Sequence, residues 1–138
     1  METCILPILI PCVCGGLGAV CRCAVTRGIS NIWKRNFPIA TLIINAFASF
    51  VMGAVMFASQ CLIYDFVPLR GLSLCAITGF LGGFSTFSTA IFEGVEFMQK
   101  KDIRNCIKIL SLELFIPLFC ALAGFVSVQL FIFSIARI

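Results

Sequence analysis

The sequence predicts an all-α membrane protein with four transmembrane helices. Of its 138 residues, 61% are hydrophobic and only 12% are charged, and the mean hydropathy is +1.13. Soluble domains average about 45–50% apolar and about 25% charged residues, so this chain is too apolar for water. Four spanning helices of about 20 residues each fit the length and leave room for short connections. We therefore expect a single integral membrane domain over residues 1–138.

Four apolar segments define the predicted membrane helices. They cover residues 4–25, 38–61, 71–98 and 106–135. The first segment starts almost at Met1 and already has spanning length, whereas a cleavable signal peptide has a charged start and a small-residue cleavage site. We therefore expect the first segment to stay in the mature protein as a membrane helix.

The third segment departs from an ordinary membrane helix at its centre. The run over residues 79–89 reads Gly-Phe-Leu-Gly-Gly-Phe-Ser-Thr-Phe-Ser-Thr, which is rich in glycine and hydroxyl side chains. Glycine lowers helix propensity, and irregular backbone at membrane depth is tolerated where protein buries it or where it lines a polar cavity. The run predicts a broken third helix, whose half-helix ends could bind ions. A small-residue surface for helix packing is the alternative interpretation.

Basic residues near the segment ends predict the orientation. The first and third connections carry six of them, namely Arg27, Lys34, Arg35, Lys100, Lys101 and Arg104. The second connection and the termini, which share the other face, carry only Arg70 and Arg137. Because cytoplasmic loops are enriched in lysine and arginine, both termini are expected outside the cytoplasm. The basic residues form no long run, so nucleic-acid binding is not expected.

Three polar side chains share one face of the second segment. Asn45 lies four residues from both Thr41 and Ser49, a spacing that places all three on the same side of a helix. A buried amide is unfavourable unless it is hydrogen-bonded, and it offers two hydrogens to an anion. Asn45 is therefore either an anion ligand or a residue that joins two membrane helices by a hydrogen bond.

Phe87 lies among the hydroxyl residues of the third segment, next to Thr86, Ser88 and Thr89. An aromatic ring has a positive edge, so ring edges and hydroxyl donors together suit a small, strongly hydrated anion. The chain contains 15 phenylalanines, and ordinary packing is the alternative role for Phe87.

Ionisable side chains within the segments are further candidates for function. Arg22, late in the first segment, either extends to the membrane surface or lines an entrance for anions. Glu93 lies late in the third segment, and Glu113 lies well inside the fourth, where a carboxylate is a functional candidate by default. The sequence contains no histidine and no recognisable nucleophile–base pair, so we predict that the chain is not an enzyme.

Three motifs together resemble the CrcB/Fluc family of fluoride channels along nearly the whole chain. Residues 15–22 read Gly-Gly-x-Gly-Ala-x-x-Arg, and residues 38–45 read Pro-x-x-Thr-Leu-x-x-Asn. The third motif is the run over residues 79–89 with Glu93 after it. This motif is long, and the order of all three matches the family.

The resemblance implies an antiparallel, dual-topology-type dimer of four-helix subunits in the inner (plasma) membrane, through which fluoride leaves the cytoplasm passively. Family members hold a structural sodium ion (Na+) at the dimer centre through backbone carbonyls of the broken third helix, which correspond to Gly82 and Ser85. The implied partners are the fluoride ion, membrane lipids and a second subunit. That subunit is either an identical chain or an oppositely oriented paralogue. The asymmetry of the loop charges favours the paralogue, because it favours a single orientation of this chain.

The resemblance also assigns a fluoride pathway. Asn45 would donate from its amide and Phe87 from its ring edge, with hydroxyl groups completing a polar track. The hydroxyl residues assigned to the pathway are Thr41, Ser88, Thr89 and Ser111. Arg22 and Glu93 would line a vestibule or support the structure.

Several positions depart from the family pattern. Ser85 replaces a threonine, and Ala90 replaces a phenylalanine that would be a second ring-edge donor. In the fourth segment, three positions that are often polar and uncharged in the family are here Ile109, Glu113 and Pro117. A carboxylate in the pathway would repel fluoride, and Ser111 reaches the pathway only after a shift of register.

Two other functions fit parts of the pattern. A proton-coupled small multidrug exporter needs a membrane-embedded carboxylate, for which Glu113 is the only candidate because the first segment has none. A non-conducting membrane subunit would use the glycine and hydroxyl run for helix contacts alone, and it would carry no ion flux.

Overall fold

The described part of the chain, residues 6–33, 38–61 and 67–135, consists of α-helices in this computed structural model. In chain order they are α1 (Leu6–Ile32), α2 (Ile39–Cys61), α3 (Val67–Phe84), α4 (Phe87–Gln99) and α5 (Ile103–Ile135). Four stretches are long and apolar enough to cross a membrane: Pro7–Ile32, Ile39–Gln60, Leu74–Gln99 and Ile103–Ile135. The prediction of an all-α, multi-pass membrane protein is confirmed.

Three helices extend beyond the apolar segments that predicted them. Helix α1 continues past Val25 to Ile32, α3 begins at Val67 before the predicted start at Gly71, and α5 begins at Ile103 before the predicted start at Cys106. Hydropathy marks only the part of a helix that suits lipid, whereas polar residues such as Arg27 and Arg104 continue the same helix beyond it. The predicted orientation was based on eight basic residues. Of these, Lys34, Arg35 and Arg137 lie outside the described residues, and so does the side chain of Arg70.

A short non-helical step separates α3 from α4. Helix α3 ends at Phe84 and α4 begins at Phe87, so Ser85 and Thr86 interrupt the stretch Leu74–Gln99. Thr86 has an extended backbone (φ −155°, ψ 114°) and is the N-cap of α4, where its side chain accepts a hydrogen bond from the N–H of Thr89. Threonine favours this cap position, and the preceding glycines weaken the helix before it.

Glycines allow α1 and α3 to pack with their backbones in contact. A Cβ atom added to Gly18 of α1 would collide with the carbonyl of Phe80, and one added to Gly83 of α3 would collide with the carbonyl of Gly15. In lipid the hydrophobic effect does not drive helices together, and the van der Waals packing of closely approaching small residues stabilises their association instead. The small-residue face considered from the sequence therefore exists, and it binds α1 to the first half of the third span.

Helices α2 and α5 form the second closely packed pair. A Cβ atom on Gly53 of α2 would meet the carbonyl of Ala121, and one on Gly124 of α5 would meet the carbonyl of Phe50. Helix α4 packs on α5 as well, where Gly94 faces the side chain of Leu110. The two halves of the third span thus have different partners, α1 for α3 and α5 for α4.

Apolar side chains cover much of the outer surface. Large exposed residues occur on most of the helices and include Leu17, Phe47, Phe92 and Phe119. The interior is small and contains buried polar residues, Thr41, Asn45, Ser59 and Glu113, beside the apolar ones. An apolar exterior around a partly polar interior suits a protein surrounded by lipid or by another subunit.

Candidate functional site

Asn45 of α2 holds the backbone of the non-helical step. Its amide Nδ2 donates to the carbonyl oxygen of Thr86 at 2.9 Å, and its Oδ1 accepts from the N–H of Thr86 at 2.8 Å. In a continuous α-helix the N–H of Thr86 would instead donate to the carbonyl of Gly82. The Asn45 side chain therefore takes the place of a helical backbone bond and stabilises the interruption.

The hydroxyl of Thr86 organises the start of α4. It accepts from the N–H of Thr89 at 3.3 Å and lies 3.1 Å from the Ser88 hydroxyl and 3.0 Å from the Thr89 hydroxyl. A continuous helix would direct the N–H of Thr89 to the carbonyl of Ser85. The carbonyls of Gly82 and Ser85 have thus lost the amides that would bind them in an unbroken helix.

Two carboxyl groups bind the polar face of α2. The hydroxyl of Thr41 donates to Glu93 Oε1 at 2.6 Å, and Nδ2 of Asn45 donates to Glu113 Oε2 at 2.8 Å. Since Thr41 and Asn45 lie one helical turn apart, the carboxyl groups from α4 and α5 bind consecutive turns of α2. The second oxygen of each carboxyl, Oε2 of Glu93 and Oε1 of Glu113, is buried and has no hydrogen-bond partner among the described residues.

A hollow with two arginines lies beside this cluster. It has a volume of about 240 Å³ and is lined by Arg22, Cys23, Thr26, Arg27, Thr41, Ile44, Thr86 and Thr89. Nη1 of Arg22 lies 3.5 Å from the hydroxyl of Thr89, and its Nε is buried with no hydrogen-bond partner in the part of the chain that the structure describes. The hollow combines positive charge with hydroxyl groups, which are both favourable to an anion.

A second cavity lies at the end of α3. It has a volume of about 160 Å³ and is lined by Ala48, Ser49, Met52, Leu81, Gly82 and Ser85. Gly82 is exposed there, and a Cβ atom added to it would meet nothing. The two residues that the family resemblance assigned to a sodium site therefore line one cavity together with the small residues of α2.

The structure brings some of the predicted pathway residues together and separates others. Asn45, Thr86 and Thr89 belong to one hydrogen-bonded cluster with Ser88 at its edge, whereas Thr41 and Glu93 form a separate hydrogen-bonded pair one turn away along α2. Phe87 and Ser111 are exposed on the outside of this subunit, and Phe87 retains 60% of its surface.

Three of the residues that depart from the family pattern line the interior of this subunit. Ala90 and Ile109 are buried, and Glu113 is buried as well. Pro117 lies within α5.

Sequence reasoning did not assign a role to Thr86. Its carbonyl and N–H form hydrogen bonds with Nδ2 and Oδ1 of Asn45, and its hydroxyl caps α4. The signal was present, because threonine after a glycine-rich run and before an apolar helical stretch is typical of an N-cap.

The fold and the site define a small multi-pass membrane protein with polar groups gathered around an interrupted helix, as in proteins that pass ions. Residues 9–125 match the family described as CrcB-like protein, Camphor Resistance (CrcB), and the chain belongs to this family. The resemblance seen in the motifs is confirmed.

Relatives of this chain are named as fluoride channels. "Fluoride-specific ion channel FluC 3" of Bifidobacterium longum is 43% identical over 123 residues, which cover 89% of this chain and 98% of the relative. FluC 1 of the same organism is 37% identical, with coverage of 81% and 88%. The FluC channel of Pyrococcus horikoshii is 33% identical over 129 residues, with coverage of 91% and 97%. The family is one of ion channels and not of enzymes, in agreement with the prediction.

Proposed function

We propose that this chain is a fluoride-selective channel that lets fluoride leave the cytoplasm passively and so reduces its toxicity. The observation that carries the proposal is the match over almost the full length to relatives named as fluoride-specific channels. The cluster around Asn45 and Thr86 supports the proposal, because its hydrogen-bond donors lie on α2 and at the interruption between α3 and α4. No energy source is needed when the anion moves down its electrochemical gradient.

The arginine-lined hollow is the proposed entrance. Arg22 and Arg27 raise the local concentration of anions, and the hydroxyls of Thr86 and Thr89 offer donors that replace water around the ion. The pathway continues along Thr41, Asn45 and Ser88, with the ring edge of Phe87 and the hydroxyl of Ser111 as further donors. Glu93 supports the entrance by binding Thr41.

The proposed structural sodium ion fits the residues present. Carbonyl oxygens are suitable ligands for a hard cation, and the carbonyls of Gly82 and Ser85 have lost their helical donors beside a shared cavity. These two residues would hold the ion, and a fixed positive charge there would stabilise the joint between two subunits. One chain supplies too few such oxygens to complete the shell of the ion, so a second subunit is part of this proposal.

We further infer an antiparallel dimer in the inner (plasma) membrane, with the termini of this chain outside the cytoplasm. The exposure of Phe87 and Ser111 supports a second subunit, because pathway residues on the outside of one subunit need another surface to enclose them. The second subunit is either an identical chain or a paralogue inserted in the opposite orientation, and lipid covers the remaining apolar surface.

Dimer formation is expected to depend on sodium and on Gly82. Native mass spectrometry of the purified chain should show more dimer in sodium than in choline salts, and Gly82→Leu should lose the dimer because its side chain fills the cavity. Gly28→Leu is the matched control, since a Cβ at Gly28 also meets no atom within 4 Å among the residues that the structure describes. A monomer in every condition would contradict the homodimer, and a dimer that neither sodium nor Gly82→Leu affects would contradict the proposed sodium site.

Growth separates the channel from the multidrug exporter. Cells lacking their own fluoride exporters should survive fluoride when they express this chain, either alone or with an oppositely oriented paralogue, and should gain no resistance to cationic drugs. If the chain instead gave drug resistance that Glu113→Gln abolished, without protection from fluoride, the exporter would be the correct function. Protection from neither would indicate a non-conducting subunit.

A further inference from the structure

The amide of Asn45 has no free hydrogen in this subunit. An asparagine side chain has two N–H hydrogens. The carbonyl of Thr86 lies 2.9 Å from Nδ2, and Oε2 of Glu113 lies 2.8 Å from the same nitrogen. The bond to Thr86 belongs to the backbone interruption, so the hydrogen that faces Glu113 is the one that an anion could use.

Glu113 reaches this position from α5 and is sealed inside the subunit. Only 3% of its surface is exposed, and Asn45 is its hydrogen-bond partner within the described residues. Its other oxygen, Oε1, is buried and has no hydrogen-bond partner in the described ranges of the chain. The hydrogen bond to Asn45 is therefore the main interaction that stabilises this buried carboxyl group.

A carboxyl oxygen and a fluoride ion compete for the same kind of donor. Both accept a hydrogen bond, but the carboxyl is attached to α5 and need not be drawn from solution. An ionised carboxyl also repels an approaching anion, and this repulsion is strong where water is scarce. Fluoride therefore reaches the Asn45 amide only after Glu113 has moved away.

We propose that Glu113 closes the fluoride pathway of this subunit by occupying the Asn45 amide hydrogen that the anion would bind. This inference rests on the proposed function, and it identifies Glu113 as a residue that limits the fluoride flux of the channel. It follows that a smaller neutral residue at position 113 opens the pathway. In a dimer with a paralogue that carries a neutral residue there, the pathway lined by the paralogue would carry most of the flux.

Three variants test this assignment by fluoride-electrode efflux from liposomes. Glu113→Ser removes the occupant and should raise the flux about tenfold or more over the wild type, as expected when a buried hydrogen bond to Asn45 no longer competes. Glu113→Gln keeps the volume and an acceptor for Asn45 but removes the charge, so its flux should lie between the two. Glu96→Gln, the same change at an exposed residue of α4, should leave the flux unchanged.

The outcomes distinguish this inference from the proposed function. Wild-type flux that neither Glu113→Ser nor Glu113→Gln increases would overturn the role of Glu113 and leave the channel function intact. Absence of fluoride flux above protein-free liposomes in the wild type and both variants, reconstituted alone and together with an oppositely oriented paralogue, would overturn the channel function itself. Size-exclusion chromatography identifies any variant that has not folded, and Glu113→Gln then decides the question because it preserves the packing.

Discussion

Replacement of Asn45 by aspartate is expected to reduce fluoride flux to about one-tenth of the wild-type value or less. The variant loses both N–H donors, one to the Thr86 carbonyl and one to Glu113, and brings two carboxyl groups within contact distance. Each buried group left without its partner costs about 1–3 kcal/mol, and about 1.4 kcal/mol corresponds to a factor of ten. The protein should remain folded, because the N–H of Thr86 can still donate to the aspartate.

Fluoride-electrode efflux and thermal unfolding measure the two effects of Asn45→Asp. The unfolding temperature should fall together with the flux, since one side chain supports both the interruption and the pathway. Gln99→Glu is the control, because it makes the same amide-to-carboxylate change at an exposed position near the end of α4. Undiminished flux in Asn45→Asp would remove Asn45 from the pathway.

A methyl group on Gly18 is expected to disrupt the packing of α1 against α3. Its Cβ would collide with the carbonyl oxygen of Phe80 and approach the backbone nitrogen of Phe84, and backbone atoms cannot swing aside as side chains do. Forcing extra volume into close packing typically costs about 1–3 kcal/mol, and the α3 end of the interruption would shift with it. Gly18→Ala should therefore lower the yield of folded protein and the unfolding temperature.

Gly16→Ala is the matched control, two positions away on the same helix. A Cβ at Gly16 meets no atom of the described residues within 4 Å, and alanine favours a helix over glycine by about 1 kcal/mol. Fluorescence-detected size-exclusion chromatography after a temperature series compares the two variants directly. Equal stability of Gly18→Ala and Gly16→Ala would show that α1 and α3 are not in backbone contact.

The sequence predicted the features that depend on local composition. Apolar segments located the membrane helices because lipid selects apolar side chains along a whole span. The glycine and hydroxyl run over residues 79–89 drew attention to the region where α3 gives way to α4. The spacing of Thr41 and Asn45 correctly placed them on one face, because helical geometry alone determines this.

Contacts between distant segments could not be predicted in the same way. The bond between Asn45 and Glu113 joins residues 68 positions apart, and the choice of this partner depends on how α2 packs against α5. The sequence offered an anion ligand or a helix-joining residue as alternatives for Asn45, and in this subunit it joins three helices. The exposure of Phe87 likewise depends on the packing of α4, which composition does not reveal.

Selective efflux from liposomes tests the central claim most directly. Purified protein is reconstituted into vesicles loaded with both fluoride and chloride, alone and together with an oppositely oriented paralogue, and ion-selective electrodes follow the release of each anion. We expect release of fluoride and retention of chloride in at least one of these preparations, with faster release when Glu113 is replaced by serine. Equal release of both anions, or no release from any preparation, would contradict it.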